Sequence, residues 1–317
     1  MSTQTYIAMK GVTITGAEMQ NLSLEGADLQ GSKLKECDLK NAHLSRANLK
    51  HTDFTKSNLE YAVLSCANIQ YAKFNHANLS HVNFKGSDFT GVDFSDANLS
   101  YASFSDVFFG DDVVNLKGLS FANANMHSAV MRYSDLTDAR LPNIIMRGAY
   151  VQHSTMNGAV LTKADLRRVN MEGCSFIKAN MRDIDATDGN FNSSNFTGAD
   201  LTGADFSWAG AANTNFKDAV LKDARLVMTD LTGADLSGLD LSGVDCSKAC
   251  FFNANLTGVN FTGADLTGAD FEDAIMTDVV MVKVMMSNAI MMNDDENPQT
   301  HNLSEEQLSV IKEFSEL

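Results

Sequence analysis

Residues 197–206 read TGADLTGADF, and the same ten letters return at residues 262–271. Each half carries a small residue, an acidic residue and a large apolar residue, followed by two residues before the pattern restarts. The register extends outward in both directions. It runs through GADLQ (26–30), RANLK (46–50) and HANLS (76–80), so that Leu24, Leu29, Leu34, Leu39, Leu44 and Leu49 lead on to Phe84, Phe89, Phe94, Leu99, Phe104 and Phe109. Period five matches neither the 3.6 of a helix nor the sustained alternation of a strand. A small and a large residue two apart face the same side only when the backbone between them is extended, so each unit holds a very short strand. The remaining two residues, often Thr-Gly or Ser-Asp, turn the chain. Strand followed by turn, with too few residues to reverse direction, winds the chain into a coil. The Ala and Leu/Phe positions stack inside, and backbone hydrogen bonds run between successive coils.

These units resemble the A(D/N)Lxx motif of the pentapeptide-repeat family, and the resemblance covers about residues 9 to 292. It implies an all-β chain: a right-handed quadrilateral parallel β-helix in which four units make one square turn and residues 20 apart lie above one another. On that footing the chain holds 21 units from Met9 to Phe109 and 35 from Phe121 to Met291. Leu, Phe and Ala are then core, and the Asp/Asn positions belong to turns.

The register breaks once. Large residues fall on numbers ending in 4 or 9 up to Phe109, and on numbers ending in 1 or 6 from Leu116 or Phe121 onward, so two extra residues have entered. The expected organisation is a first block over 1–109, an insertion over 110–117 carrying Asp111 and Asp112, and a second block over 118–292. A polar connection over 293–302 and a short amphipathic α-helix over 303–317 complete it. Insertions on a rigid scaffold are either tolerated or functional.

Two further irregularities bear on surfaces. Ala209-Gly210-Ala211 is a thin unit beside Trp208, with Met228 twenty residues on, and these two could form an apolar patch or cover the thin spot. In the last coil the middle position, elsewhere commonly Asp or Asn, becomes Ile275, Val280, Met285 and Ile290, whose side chains should point outward. A ring of outward apolar residues calls for a cover. The tail LSEEQLSVIKEFSEL has Ser304 and Gln307 in capping-box positions, and Leu303, Val310, Phe314 and Leu317 on one helical face with Ile311 beside it. This helix either caps its own coil or pairs with a second chain, and in similar family members a C-terminal element makes a dimer.

In the first block the twenty-residue spacing aligns Tyr61, His81 and Tyr101, and separately His51 with Tyr71. Glu36, Lys56, His76 and Asp96 form another column. Cross-strand stacking and charge pairing account for such columns.

The formal charge is −16, unevenly spread: residues 1–110 carry 9 basic and 11 acidic, 111–190 carry 9 and 9, and 191–317 carry 6 and 20. An acidic surface repels phosphates, so direct nucleic-acid binding is not expected and basic protein surfaces are. The acidic candidates for partner contact are Asp200, Asp205, Asp230, Asp235, Asp240, Asp245, Asp265, Asp270, Asp273 and Asp278, with the columns interrupted by Val220, Arg225 and Cys250. Cys37, Cys66, Cys174, Cys246 and Cys250 show no CxxC spacing, which suits a reducing compartment and gives no metal site. No apolar run reaches the roughly 18 residues of a membrane span. GxSxG, HExxH, Walker-type and GxGxxG motifs do not occur, and a filled interior offers no catalytic pocket or cofactor site.

One group within the family, the quinolone-resistance and topoisomerase-modulating proteins, is understood to bind DNA gyrase by resembling duplex DNA. This chain is similar in its acidic portion, its single insertion and its terminal helix, and differs in its greater length and nearly neutral first 190 residues. The resemblance implies a non-catalytic cytoplasmic protein that binds gyrase or topoisomerase. The alternatives are an effector or scaffold secreted by a non-classical bacterial route, and a structural module without one dedicated partner.

Overall fold

A computed structural model describes residues 8–109 and 116–290. Asp111, Asp112 and the expected helix over 303–317, with Leu303, Val310, Ile311, Phe314 and Leu317, lie outside the described residues, as does the connection over 293–302. The chain divides into two compact units, Met1–Thr155 and Met156–Leu317.

In each unit the twenty-residue step is written in the backbone. Parallel bridges join Asp28 to Asn48, Asn48 to Asn68 and Asn68 to Asp88 in the first unit, and Asp165 to Asp185 and Asp185 to Asp205 in the second. Four pentapeptides therefore close one turn, giving the square parallel β-helix. Most units pair through a single residue. Among the described residues only β1 (Thr13–Thr15) and β2 (Lys33–Lys35) are three-residue strands, paired in parallel with Thr13 opposite Lys33.

Each unit makes three hydrogen bonds to its neighbouring coils. The large residue donates forward (Leu29 N–H to the Asn48 carbonyl, 2.8 Å), the turn residue two further on does the same (Gly31 to Lys50, 2.9 Å), and the middle residue donates back (Asn48 to Ala27, 2.9 Å). The corner is a tight turn, closed by the Ala27 N–H on the Leu24 carbonyl at 3.0 Å, with Gly26 at φ +66°. Negative then positive φ is the demand of a type II turn, which glycine meets without penalty. Tyr61, His81, Lys163 and Asp273 adopt the same left-handed conformation, at about 1–2 kcal/mol each. That conformation aims the residue's N–H at the next coil, as in Tyr61 to Ser80 at 3.1 Å, so the strain is offset by a ladder bond.

The interior is a stack of rings and aliphatic chains. Phe54, Phe74 and Phe94 lie face to face at 5.1 and 5.5 Å, and in the second unit Phe176, Phe196 and Phe216 do so at 4.8 and 5.2 Å. Where the small position holds a hydroxyl, it donates inside to a carbonyl of the preceding coil: Thr52 to Leu29 at 2.8 Å, Ser194 to Met171 at 2.9 Å. Buried hydroxyls are thereby satisfied. Ile184 and Ala186 exchange volumes within one unit and both are buried, a swap a packed core tolerates.

The two extra residues show as a change of step. Within the first unit Asn98 pairs with Ser120, Ser103 with Asn125 and Phe108 with Val130, twenty-two apart instead of twenty. The five-residue register resumes at Leu116, which is buried and donates to the Asp135 carbonyl at 2.7 Å.

Phe84 is fully buried, with four rings around it, Phe74, Phe89, Phe94 and Phe104. Phe84→Ala should cost about 3–5 kcal/mol. Urea unfolding of the two proteins measures this, and a loss below about 1 kcal/mol would contradict the packing described.

Candidate protein-binding surface

The middle residue of each unit faces outward while its backbone bridges the coils, so its side chain is free to serve the turn. Asp53 Oδ1 accepts the Thr55 N–H at 3.0 Å and the Thr55 hydroxyl at 2.6 Å, and Asp200 does the same for Thr202 at 3.1 and 2.6 Å. Asn side chains add a rung along the axis, as from Asn48 Nδ2 to Asp28 Oδ1 at 3.0 Å and from Asn255 to Asp235 at 3.1 Å. One carboxylate oxygen thus fixes the turn. The other is left for a neighbour or for solvent: Asp53 Oδ2 meets Lys35 Nζ at 3.1 Å, and Asp200 Oδ2 accepts from Arg182 at 3.1 Å.

In the second unit these outward positions form four columns. One contains Asp200, Val220 and Asp240, another Asp230, Cys250 and Asp270, and a third Asp235 and Asn255. The fourth is the most acidic, placing Asp165, Asp185 and Asp205 in consecutive coils, then Arg225, then Asp245 and Asp265. Asp165 and Asp185 are absent from the sequence-based candidates. Their membership is visible once a step of twenty is taken backward from Asp205. Asp273 and Asp278 belong instead to the corners, each exposed at φ 56°.

Several of these charges are already compensated. Arg167 spans Asp165 (2.6 Å) and Asp185 (3.2 Å), Arg182 reaches Asp200 (3.1 Å), and Arg225 approaches Asp205 (3.7 Å). Half-exposed pairs of this kind contribute about 0–1 kcal/mol and mainly cancel surface potential. Asp230, Asp235, Asp240, Asp245, Asp265 and Asp270 have no ion-pair partner among the described residues. The net negative surface therefore lies in the later coils.

The final coil ends in the expected apolar ring. Ile275, Val280, Met285 and Ile290 are exposed at 36, 42, 54 and 51%. They close the ladder by accepting from Leu256, Phe261, Leu266 and Phe271.

In the first unit the aromatic columns are stacks: Tyr61, His81 and Tyr101 at 4.4 and 4.8 Å, and His51 on Tyr71 at 5.1 Å. His76 lies 3.5 Å from Asp96. Lys40 and Lys50 sit over Tyr61 and Tyr71 at 5.7 and 5.6 Å, contacts that the column spacing alone did not disclose. Tyr71 also fills the space where a side chain at Gly91 would stand. These rings present edges to solvent, and their faces are spent on one another.

No disulfide joins the cysteines, of which Cys66 is exposed and Cys37, Cys174 and Cys246 are buried. Burial, with Asp245 and Asp265 adding to it, pushes the Cys246 thiol far up. Among the described residues no three His, Cys, Asp or Glu side chains come together as a metal site, and no helix is long and apolar enough to cross a membrane.

Comparison with known families agrees with the repeat geometry. A model described as a pentapeptide repeat region matches residues 27–104, and one described as pentapeptide repeats (8 copies) matches overlapping stretches from 114 to 291. The chain belongs to the pentapeptide-repeat family, whose members fold as right-handed β-helices and are generally structural or binding proteins, not enzymes. Among solved structures it is similar to trypsin-treated QnrB1, a plasmid-mediated fluoroquinolone resistance protein: 24% identity, 53% of this chain and 89% of that one covered, TM-score 0.47. It is also similar to HetL, a pentapeptide repeat protein involved in heterocyst differentiation regulation from the cyanobacterium Nostoc sp. strain PCC 7120, with 22% identity, 87% and 90% coverage and TM-score 0.18. A pentapeptide repeat protein from the Arabidopsis thaliana thylakoid lumen shows 26% identity over 38% of this chain and 70% of that one, with TM-score 0.17. None of the curated proteins compared matches the sequence. The family assignment rests on the matched repeats.

The turn carboxylates make stability acid-sensitive. Burial alone would raise Asp53, Asp88, Asp93 and Asp200. Hydrogen bonds from the hydroxyl and N–H of the residue two on, and from Lys35, Gln70, Asn75 or Arg182, outweigh it and hold all four below the ordinary 3.8. A depressed folded value stabilises fully above 3.8, and that contribution is lost as pH falls through the folded values. The urea midpoint should therefore fall between pH 5 and pH 3, and it should fall less in a variant with all four changed to Asn. Equal losses in both proteins would contradict this assignment.

Proposed function

We propose that this chain is a non-catalytic protein-binding solenoid whose acidic second unit engages DNA gyrase or a related topoisomerase in place of duplex DNA. The supporting observation is the column that places Asp165, Asp185 and Asp205 in consecutive coils, then Arg225, then Asp245 and Asp265. Residues 191–290 carry 13 acidic and 5 basic residues. Spread over five coils about 4.8 Å apart, this is one net charge per ~3 Å of axis. Duplex DNA carries one per about 1.7 Å counting both strands. The unit is thus about half as charged as DNA, enough to complement a basic groove. Its backbone is rigid, so little ordering entropy opposes binding. With no disulfide among its five cysteines, one of them exposed, it acts in a reducing cytoplasm.

The apolar ring of the last coil serves self-association. Its four side chains ring the last coil, and a second copy meeting that end packs against the ring.

Two results test these statements. Purified protein at micromolar concentration should alter gyrase supercoiling or its quinolone sensitivity, and Asp245→Asn with Asp265→Asn should weaken the effect about tenfold. Supercoiling and sensitivity that stay unchanged would overturn the gyrase reading. Light scattering should show a dimer that becomes a monomer when the chain is cut after Asn293. An intact protein that is already monomeric would overturn the second statement.

A further inference from the structure

Trp208 is the chain's only tryptophan and, among the described residues, the most exposed large apolar side chain, at 59%. It occupies the left-handed turn position at φ 65°. Four tyrosines share that position, and each is stacked: Tyr61 and Tyr101 on His81, Tyr71 on His51, and Tyr133 on His153 at 5.4 Å. Trp208 has no ring on it among the described residues. Its column neighbours, twenty residues away on either side, are Asp188 and Met228. A strained, solvent-facing tryptophan without a stacked ring is unlike the four tyrosines at this position.

The residue before it is anomalous in a second, independent way. Ser207 is 6% exposed, and its hydroxyl is the sole buried side-chain polar atom without a partner among the described residues. Its N–H donates to Asp205 at 2.9 Å, but its hydroxyl does not follow, whereas Thr187 and Ser247 each donate theirs to Asp185 and Asp245 at 2.7 Å. Buried polar groups are almost always satisfied, so the orphan marks a place where a partner atom is missing.

Two residues further on, Gly210 replaces the usual outward Asp or Asn, between Asn190 and Asp230 in the adjacent coils. Asn192 closes one side by accepting the Ala212 N–H at 2.8 Å. The other side is Asp230, exposed and without an ion-pair partner. Its Oδ1 accepts the Thr232 N–H at 3.0 Å, which leaves Oδ2 free. The corner thus offers an exposed indole, a glycine whose outward space the Asn192 carboxamide occupies, and an unpaired carboxylate in sequence around one turn.

We propose that Trp208 and Asp230 dock an arginine side chain of the partner protein, with the guanidinium packed on the exposed indole and hydrogen-bonded to Asp230. This rests on the reading that the second unit binds a basic protein surface, and it names the anchor of that surface. Arginine fits better than lysine because its planar head stacks on an aromatic face while forking onto a carboxylate. Tryptophan next to a polar, water-excluding rim is also the usual composition of an interface hot spot.

A single tryptophan makes the test direct. A capped, fluorescein-labelled hexa-arginine peptide is titrated into the full chain, with anisotropy reporting binding. The unlabelled peptide is titrated in parallel, with indole emission reporting contact. The account expects a saturable emission change at the concentration where anisotropy saturates, and several-fold weaker binding of hexalysine. It expects about tenfold weaker arginine-peptide binding in Asp230→Asn, the scale of one lost charge-assisted hydrogen bond, and less than a twofold change in Asp273→Asn. Binding without any change in emission, or equal losses in the two variants, overturns the site while leaving an acidic binding unit in place. Emission that shifts with protein concentration alone assigns the patch to a second copy of the chain and also overturns it. In the supercoiling assay, Trp208→Ala should weaken the effect about tenfold. Full potency in that variant removes the anchor without touching the gyrase reading, whereas a wild type without effect removes the gyrase reading itself.

Discussion

The inter-coil hydrogen bond donated by the left-handed turn residue is the constraint on which the rest of the structure depends. It fixes the corner, the corner fixes the unit at five residues, and four units fix the step of twenty seen in the bridges from Asp28–Asn48 to Asp270–Ile290, save the three steps of twenty-two where the extra residues enter. Given that step, everything else is columnar. Rings stack on rings inside, and outside each side chain meets the residues twenty before and twenty after it. The fold imposes this neighbour rule whether the pair is His on Tyr, as at His81–Tyr101, or Asp beside Asp, as at Asp245–Asp265.

Like charges placed one coil apart are unfavourable unless something else gains. Where Asp165, Asp185 and Asp205 follow one another, Arg167 and Arg225 sit among them. Where Asp245 and Asp265 follow one another, Arg225 stands next to Asp245 in the column but reaches back to Asp205, and neither carboxylate has an ion-pair partner among the described residues. The turn-capping role of Asp explains one oxygen of each carboxylate but not the choice of Asp over Asn, which caps equally well at Asn195 and Asn260. The second unit therefore keeps charge that its fold does not need, and a basic partner gives that charge a use.

The five-residue period disclosed the core, the columns and the two-residue shift after Phe109, because each follows from spacing alone. The candidate surface was legible only in part. Asp165 and Asp185 escaped notice because Arg167 and Arg168 balance them in any window sum, although charge balance along the chain says little about which face a side chain occupies. The clamp of Arg182 on Asp200 joins a corner to the next coil, and it depends on how a long side chain reaches. The unsatisfied Ser207 hydroxyl turns on a rotamer choice that the letters SW do not encode. Trp208 could be singled out as an outward aromatic, but its difference from the stacked tyrosines needed the actual neighbours.

The central claim, that the second unit takes the place of DNA on a basic protein surface, is tested most directly by competition. A preformed complex of this protein with purified gyrase should be displaced by excess linear duplex DNA, and it should weaken steeply between 50 and 200 mM salt, as expected when several charges are matched. A ternary complex in which gyrase holds DNA and this chain together, with affinity indifferent to salt, would contradict it.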